Sequence, residues 1–383
     1  MSTTDIPFGR PWITDDERDA VMEVLSGHIL THGPNCKEFE AEFCGMMGGG
    51  HATSTSSCMA SLHLCSIDIG FGPGDEVIVP AMTHVATVHA VELTGATPVF
   101  VDCELTSGNM DLDALAAAIT PKTKAISIVH YAAIPCDMVR VLDIAGDIPV
   151  IEDCALAVGA RIDGRHVGLW GHAGGYSFYP VKHITTGEGG MLVSKNAETV
   201  DRIARFRAFN VDRTHTERKV PGIYDVTGVG MNYRMSEMQA AIGRQQLKKV
   251  PDILAQRAKN FAALKAGLEA IEHVRVLDSA EDRLQSSHYC AITLLQGPLA
   301  DKRDDIVLAL NQRGIGTSVY YPHPVPRLAY YREKYGYQAG DFPGAAAISD
   351  NGIALPCGPH LDIEGMTAIT GAMRESVLAL IGS

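Results

Sequence analysis

Residues 177–190 are Ser-Phe-Tyr-Pro-Val-Lys-His-Ile-Thr-Thr-Gly-Glu-Gly-Gly, and they place a lysine between an apolar segment and a glycine-rich turn. Lys182 follows GGYSFY at 174–179, a pattern that predicts a strand. A lysine held at a strand end in partly apolar surroundings can lose its proton and form a Schiff base with an aldehyde. The alternative is a solvated surface lysine, because most lysines are exposed.

Two earlier segments carry groups that could bind other parts of a cofactor bearing that aldehyde. Asp153 ends the apolar run PVIED, and a carboxylate there needs a partner such as the protonated ring nitrogen of pyridoxal 5′-phosphate (PLP). Ser56, Ser57 and Cys58 precede a predicted helix, whose first amides and dipole attract phosphate. Helix capping is the simpler alternative for both segments. One cofactor, however, needs the phosphate turn, the acid and the lysine together.

The order of predicted elements favours an α/β fold. Helices alternate with short apolar runs, which predict strands at 76–80, 97–102, 124–130, 149–153, 174–179 and 189–194. Such βα units build a mostly parallel sheet flanked by helices, with ligand sites at the carboxyl ends of its strands. Pro251 is expected to split 235–271 into two helices. We predict a large domain over 1–250 and a smaller α+β domain over 251–383, with a strand at 316–321.

Composition excludes several classes of protein. The 383 residues are 46% hydrophobic and 20% charged, which argues against disorder. The net charge of −13, without a basic run, predicts no nucleic-acid partner. The nine cysteines form no CxxC pair and indicate reduced thiols. Without a signal-peptide pattern or an apolar run of about 18 residues, we predict a cytoplasmic protein with no membrane contact.

The sequence resembles the DegT-type sugar aminotransferases, a family of fold type I PLP-dependent enzymes with an aspartate aminotransferase-like fold. The resemblance covers nearly the whole chain. It rests on segments at 26–34 (SGHILTHGP), 72–87 (GPGDEVIVPAMTHVAT), 95–102 (GATPVFVD), 150–160 (VIEDCALAVGA), 177–190 (SFYPVKHITTGEGG) and 230–243 (GMNYRMSEMQAAIG).

This resemblance implies a role for each matching position. Lys182 matches the lysine that forms the internal aldimine and later shuttles protons, and Asp153 matches the partner of the pyridine nitrogen. Phosphate contacts are implied for four positions, namely Ser57, Cys58, Met59 and Ser177. Asn232 matches an asparagine that reaches the phosphate from the partner subunit, so a homodimer with shared active sites is expected.

Three positions depart from the family pattern. His84 stands where Phe or Trp often stacks on the cofactor ring, and we interpret it as a ring contact. Leu156 replaces a Gln or His near the phenolic oxygen of the cofactor, which removes a hydrogen bond. Cys58-Met59 replaces a common Gly-Thr pair, so the phosphate would depend more on backbone N–H groups.

The resemblance implies transfer of an amino group from L-glutamate to a keto-sugar. A nucleotide-linked keto-deoxy sugar and an oxidised eight-carbon acid sugar both remain open, as does an antibiotic sugar. Tyr321, His323 and Arg327 lie in a segment that the family uses near its substrate, and an anionic group could meet the last two. A structured surface loop is the alternative there.

Other functions are weighed against this one. A PLP-dependent sugar dehydratase would carry histidine in place of Lys182, and a non-catalytic sensor would not need to retain Lys182, Asp153 and Asn232. The fifteen histidines are the one feature that suggests a metal hydrolase. No HExxH cluster occurs, so we predict no metal.

Overall fold

A computed structural model describes residues 5–213, 220, 222–279 and 281–381. The helices in this part of the chain are α1 (Asp15–Ser26), α2 (Pro34–Met47), α3 (Cys58–Ile69), α4 (Val85–Glu92), α5 (Leu112–Ala118), α6 (Met138–Ala145), α7 (Ala197–Phe206), α8 (Glu237–Glu269), α9 (Arg303–Gln312), α10 (Ala329–Tyr335), α11 (Pro343–Asn351) and α12 (Ile363–Ile381). The strands are β1 (His51–Thr55), β2 (Glu76–Pro80), β3 (Thr97–Val101), β4 (Thr123–Val129), β5 (Val150–Asp153), β6 (Arg161–Ile162), β7 (Arg165–His166), β8 (Ala173–Ser177), β9 (Gly190–Ser194), β10 (Val274–Val276), β11 (Leu284–Gln285), β12 (Ala291–Leu295) and β13 (Gly352–Leu355).

A seven-stranded sheet in the order β1-β9-β8-β5-β4-β2-β3 organises the first part of the chain. The neighbours β3, β2, β4, β5 and β8 are parallel, whereas β9 is antiparallel to both β8 and β1. The six strands expected from the apolar runs are all present. Since β5 and β8 run in the same direction, their last residues, Asp153 and Ser177, lie at one edge of the sheet.

Both faces of this sheet are buried under apolar side chains. Along β2, Val77 and Val79 join the core on one face, and Ile78 joins the core on the other. This alternation follows from the two-residue period of a strand, and two covered faces are typical of parallel sheets. The predicted α/β fold is confirmed.

The C-terminal part forms the predicted smaller α+β unit. Its sheet has the order β10-β12-β13, and both strand pairs are antiparallel. The predicted strand at 316–321 is wrong, because this segment contributes only a single bridge, between Ser318 and Ala354. The segment lies along the edge of β13 that faces away from β12 and joins it only through the two backbone hydrogen bonds of that bridge, so its β-branched pattern does not produce a further strand.

The expected helix break at Pro251 is also wrong, because α8 is a single helix of 33 residues that contains this proline. Pro251 removes one intrahelical hydrogen bond, but burial of Val250 and Ile253 on either side holds the chain helical. Farther along α8, Phe261 and Leu264 enter a separate apolar core shared with α12. The domain boundary at residue 250 therefore falls inside one helix and stays a prediction.

No helix among the described residues combines the length and the apolar character that a bilayer span requires.

Candidate active site

Asp153 lies at the carboxyl edge of the large sheet with its carboxylate buried and held from two sides. The hydroxyl of Thr87 donates to Oδ2 at 2.7 Å, and the amide of Ala155 donates to Oδ1 at 3.0 Å. The thiol of Cys58 lies 3.8 Å from Oδ1 and 3.4 Å from the carbonyl of Gly175. Burial, and then the charge of Asp153, raises the pKa of Cys58, so this group stays a neutral thiol. The carboxylate is thus fixed while keeping lone pairs for a further donor.

The N-terminus of α3 lies close to this carboxylate. Ser57 caps the helix by accepting from the amide of Ala60 at 3.1 Å, so the first helical amides are those of Cys58 and Met59. Gly190, the first residue of β9, approaches so closely that a Cβ there would lie 2.5 Å from the carbonyl carbon of Ser57. Ser177 pairs with Gly190 across the sheet. A helix N-terminus beside a buried serine and a bare glycine backbone suits a phosphate group.

Lys182 follows β8 in a turn closed by its amide, which donates to the carbonyl of Tyr179 at 2.9 Å. Its ammonium lies 5.4 Å from the ring centroid of Tyr289, within the range of a cation–π contact. Burial lowers the pKa of Lys182, and the acidic groups of Cys58, Asp153 and Cys290 partly oppose that shift. Lys182 is half-buried in the turn that follows β8, the neighbour of β5, which ends in Asp153.

His84 caps the N-terminus of α4 by accepting from the amide of Ala86 through Nδ1, at 3.2 Å. Its ring meets the ring of Tyr321 edge-on, with centroids 5.7 Å apart. Burial lowers the pKa of His84, while Asp153 raises it and Lys182 lowers it further. His84 is exposed, and its lowered pKa keeps the imidazole neutral beside Tyr321.

The three residues predicted to bind the substrate differ in their exposure and in their contacts. Tyr321 is half-buried against Tyr131, at a centroid separation of 6.4 Å, whereas His323 is exposed. The guanidinium of Arg327 binds both carboxylate oxygens of Asp350, at 3.0 and 2.9 Å, and the carbonyl of Ala339. An anionic substrate would have to compete with Asp350 for Arg327. The substrate roles of these residues stay predictions.

Asn232 precedes Tyr233, whose carbonyl accepts from the amide of Ser56 at 2.8 Å. Asn232 is exposed and forms a backbone bridge with Ala208. Its predicted contact, reached from a partner subunit, stays a prediction.

Two contributors to this site escaped the reasoning from sequence. Thr87 follows His84, the N-cap of α4, by three residues and donates its hydroxyl to Asp153. That spacing is a signal that could have identified Thr87. Tyr289, more than a hundred residues from Lys182, has no such signal, because only the packing of the C-terminal part brings its ring to the lysine.

A second buried acid, Glu152, adjoins Asp153 and is within reach of His130 and Cys154 as a metal-ligand set would be. Its carboxylate accepts from His130 Nε2 at 3.1 Å and from the amides of Gly168, Trp170 and Gly171 at 2.6–2.8 Å. His130 Nδ1 accepts from the amide of Cys136 at 3.0 Å. These hydrogen bonds use the ligand atoms of His130 and Glu152, so the cluster anchors the end of β5 and the loop beside it.

The fold and the site together define a PLP-dependent enzyme of fold type I. The sequence matches the DegT/DnrJ/EryC1/StrS aminotransferase family over residues 11–374, and the chain belongs to that family. The resemblance seen in the sequence is thereby confirmed.

Relatives of known structure or role agree. The spore coat polysaccharide biosynthesis protein SpsC of Bacillus subtilis is 32% identical over 97% of both chains. The sugar aminotransferase Spr1654 of Streptococcus pneumoniae, solved in PMP and PLP forms, is 29% identical to this chain. Its PMP form superposes with a TM-score of 0.92, and the match covers 98% of this chain and 100% of Spr1654. PseC of Helicobacter pylori, an aminotransferase of pseudaminic acid biosynthesis, superposes with a TM-score of 0.92 at 25% identity over 98% and 100%. The protein is a PLP-dependent sugar aminotransferase.

The side chains at the sheet edge fit PLP. The glycine-cradled start of α3 matches the phosphate, the buried carboxylate of Asp153 matches the ring nitrogen, and the amine of Lys182 matches the aldehyde.

Proposed function

We propose that this chain transfers the amino group of L-glutamate to a keto-sugar, with Lys182 as the residue that bonds to the cofactor and moves the proton. PLP, when bound, supplies an aldehyde that takes up the amino group and a ring that delocalises an electron pair. The observation that carries the proposal is a half-buried lysine with a lowered pKa in the turn after β8, beside the strand that ends in the buried and hydrogen-bonded Asp153.

Burial prepares Lys182 for its two tasks. A lowered pKa increases the fraction of neutral amine, the form that attacks a carbonyl and accepts a proton. The amine of Lys182 would take the α-proton of glutamate as a base and, once protonated, would give it back as an acid.

Asp153 supports this chemistry by holding a positive charge on the ring nitrogen. Its bonds from Thr87 and Ala155 keep the carboxylate in one orientation. Opposite charges in a buried site interact strongly, so Asp153 would favour the protonated form of a bound ring nitrogen. His84 and Tyr321 are proposed to border the ring and the substrate.

The acceptor is proposed to be a nucleotide-linked keto-deoxy sugar. The half-buried rings of Tyr320 and Tyr321, close to Tyr289, offer an apolar wall for a neutral sugar. Arg327, which was expected to meet an anionic group of the substrate, is paired with Asp350. SpsC and PseC are named for polysaccharide and pseudaminic acid biosynthesis, which supports a role in sugar biosynthesis.

The working unit is proposed to be a homodimer in which Asn232 reaches the phosphate of its partner. Exposed apolar side chains on the segment before Asn232 support a covered surface there, notably Phe209, Ile223, Val226 and Val229.

Covalent mapping tests the assignment of Lys182. The protein is loaded with PLP, reduced with borohydride and digested, and the expected result is one cofactor-bearing peptide, that of Lys182. Lys182→Ala should retain PLP without a covalent bond and should form no 2-oxoglutarate from glutamate. Label on another lysine, or normal turnover by Lys182→Ala, would refute the proposal.

A further inference from the structure

Arg257 is a buried cation of α8 behind the Lys182 turn. Its Nη1 donates to the carbonyls of His288 and Tyr289, at 3.3 and 2.7 Å. Its Nε is buried and finds no hydrogen-bond partner among the described residues. A donor left unpaired in the interior is unusual, because buried polar groups are nearly always hydrogen-bonded.

His183, the neighbour of Lys182, presents the matching acceptor. Its Nε2 lies 3.0 Å from the carbonyl of Ser287. A carbonyl only accepts, so the proton of the neutral ring lies on Nε2 and Nδ1 is left as an acceptor. Nδ1 is buried and likewise lacks a partner in the described part of the chain. Burial, and then the charge of Arg257, lowers the pKa of His183, which keeps the ring neutral.

A cavity of about 10 Å³ is lined by Lys182, His183, Thr185, Gln246 and Arg257. That volume is close to the minimum that one water molecule needs. A donor and an acceptor without partners, on two residues that line the same one-water cavity, fit a single bridging molecule.

We propose that one water molecule accepts from Arg257 Nε and donates to His183 Nδ1, which makes Arg257 a positioning residue for the Lys182 turn. The turn is then anchored on the Ser287 carbonyl directly and on α8 through the water. The consequence for catalysis rests on the proposed role of Lys182, whereas the water site itself does not.

A crystal structure at atomic resolution tests the site. The expected result is one density peak at about 3 Å from both nitrogens. A bromide soak should leave no anomalous signal there. Absence of the peak, or a bound anion in its place, would overturn the proposal.

Substitutions of Arg257 distinguish a role in positioning the Lys182 turn from a role in stability alone. Arg257→Lys keeps the charge but lacks the Nε donor, and Arg257→Met lacks both. In each, we expect the ¹⁵N resonance of His183 Nδ1 to shift and PLP to dissociate at least about tenfold faster, because the bond to the water is lost and the Nη1 bonds to the His288 and Tyr289 carbonyls are lost or altered. Arg244→Met, on the same helix but bonded to Glu42, is the control and should change neither.

The outcomes distinguish this proposal from the proposed function. If Arg257 only stabilised the fold, PLP would leave faster while the Nδ1 resonance stayed in place, and the water bridge would be refuted. The lysine variant keeps the test decisive if the methionine variant does not fold. Should PLP never bond to Lys182, the proposed function fails, but the density peak and the resonance shift would still be expected.

Discussion

The hydroxyl of Thr87 donates directly to the carboxylate proposed to hold the ring nitrogen. We expect Thr87→Val to lower kcat/KM tenfold to about a hundredfold, because a hydrogen bond to a charged group contributes about 1.5–3 kcal/mol. Thr87→Ser keeps the donor and should stay within a few-fold of the unmodified enzyme. Steady-state kinetics of both variants provide the check, and equal rates for Val and Ser would contradict a role for the hydroxyl.

Among single residues, the sequence identifies those whose side chain is unusual for its place in a predicted strand or helix. Lys182 and Asp153 stand out because a charged group follows or ends an apolar strand, and Ser57 because it precedes a predicted helix. Thr87 and Tyr289 are ordinary residues by type. Their importance comes from tertiary contacts, which no local pattern records.

Among the elements, the contact between β9 and the start of α3 leaves no room for a side chain. In Gly190→Ala the new Cβ would lie 2.5 Å from the backbone of Ser57 and 2.7 Å from the Cys58 amide, so α3 must move away. We expect PLP affinity, measured by fluorescence titration, to fall at least tenfold.

Gly45→Ala is the matched control for that variant. This glycine lies within α2, and a Cβ there meets nothing within 4 Å. The substitution should leave PLP affinity unchanged and raise stability by about 0.4–1 kcal/mol. Equal PLP affinity in the two variants would contradict the proposed phosphate cradle.

Helices and strands were predictable where one sequence pattern dominates the segment. Short β-branched runs gave the parallel strands, because both faces of such a sheet are buried. Pro251 and the segment 316–321 were predicted wrongly because tertiary contacts prevailed over local preference: α8 is buried on both sides of the proline, and the segment meets β13 only at the Ser318–Ala354 bridge. β1 was missed because HATST is polar and belongs to the sheet through its pairing with β9.

Across the whole molecule, Glu17 links the N-terminal helix to α8. Burial raises its pKa, but hydrogen bonds from Lys249, Thr14 and Gln246 outweigh burial and bring it from 4.5 to about 2. The folded pKa lies below the unfolded one, so the stabilisation is complete above about pH 4.5 and is lost as the pH falls through 2.

Glu17→Gln should therefore lower the free energy of unfolding by about 3 kcal/mol at pH 7 and by about half of that at pH 3. Urea denaturation of both proteins at the two pH values measures this. A difference that does not change with pH would show that the charge of Glu17 contributes nothing.

The proposed homodimer is tested by mixing two defective chains. If Asn232 acts on the partner's site, a dimer of Lys182→Ala with Asn232→Ala contains one intact site. Random reassortment of equal amounts should then restore about a quarter of the activity, because half of the dimers are mixed and each has one working site of two. If Asn232 acts within its own chain, the mixture should show no activity beyond that of the separate variants.

The central claim is that this chain takes an amino group from L-glutamate onto a cofactor bonded to Lys182. The most direct measurement is the visible absorbance of the PLP-loaded protein during titration with L-glutamate and no acceptor. We predict that the band of the lysine-bound cofactor disappears as the amine form of the cofactor accumulates, with one 2-oxoglutarate released per site. A band that persists at saturating glutamate, or one that disappears without 2-oxoglutarate, would contradict the account.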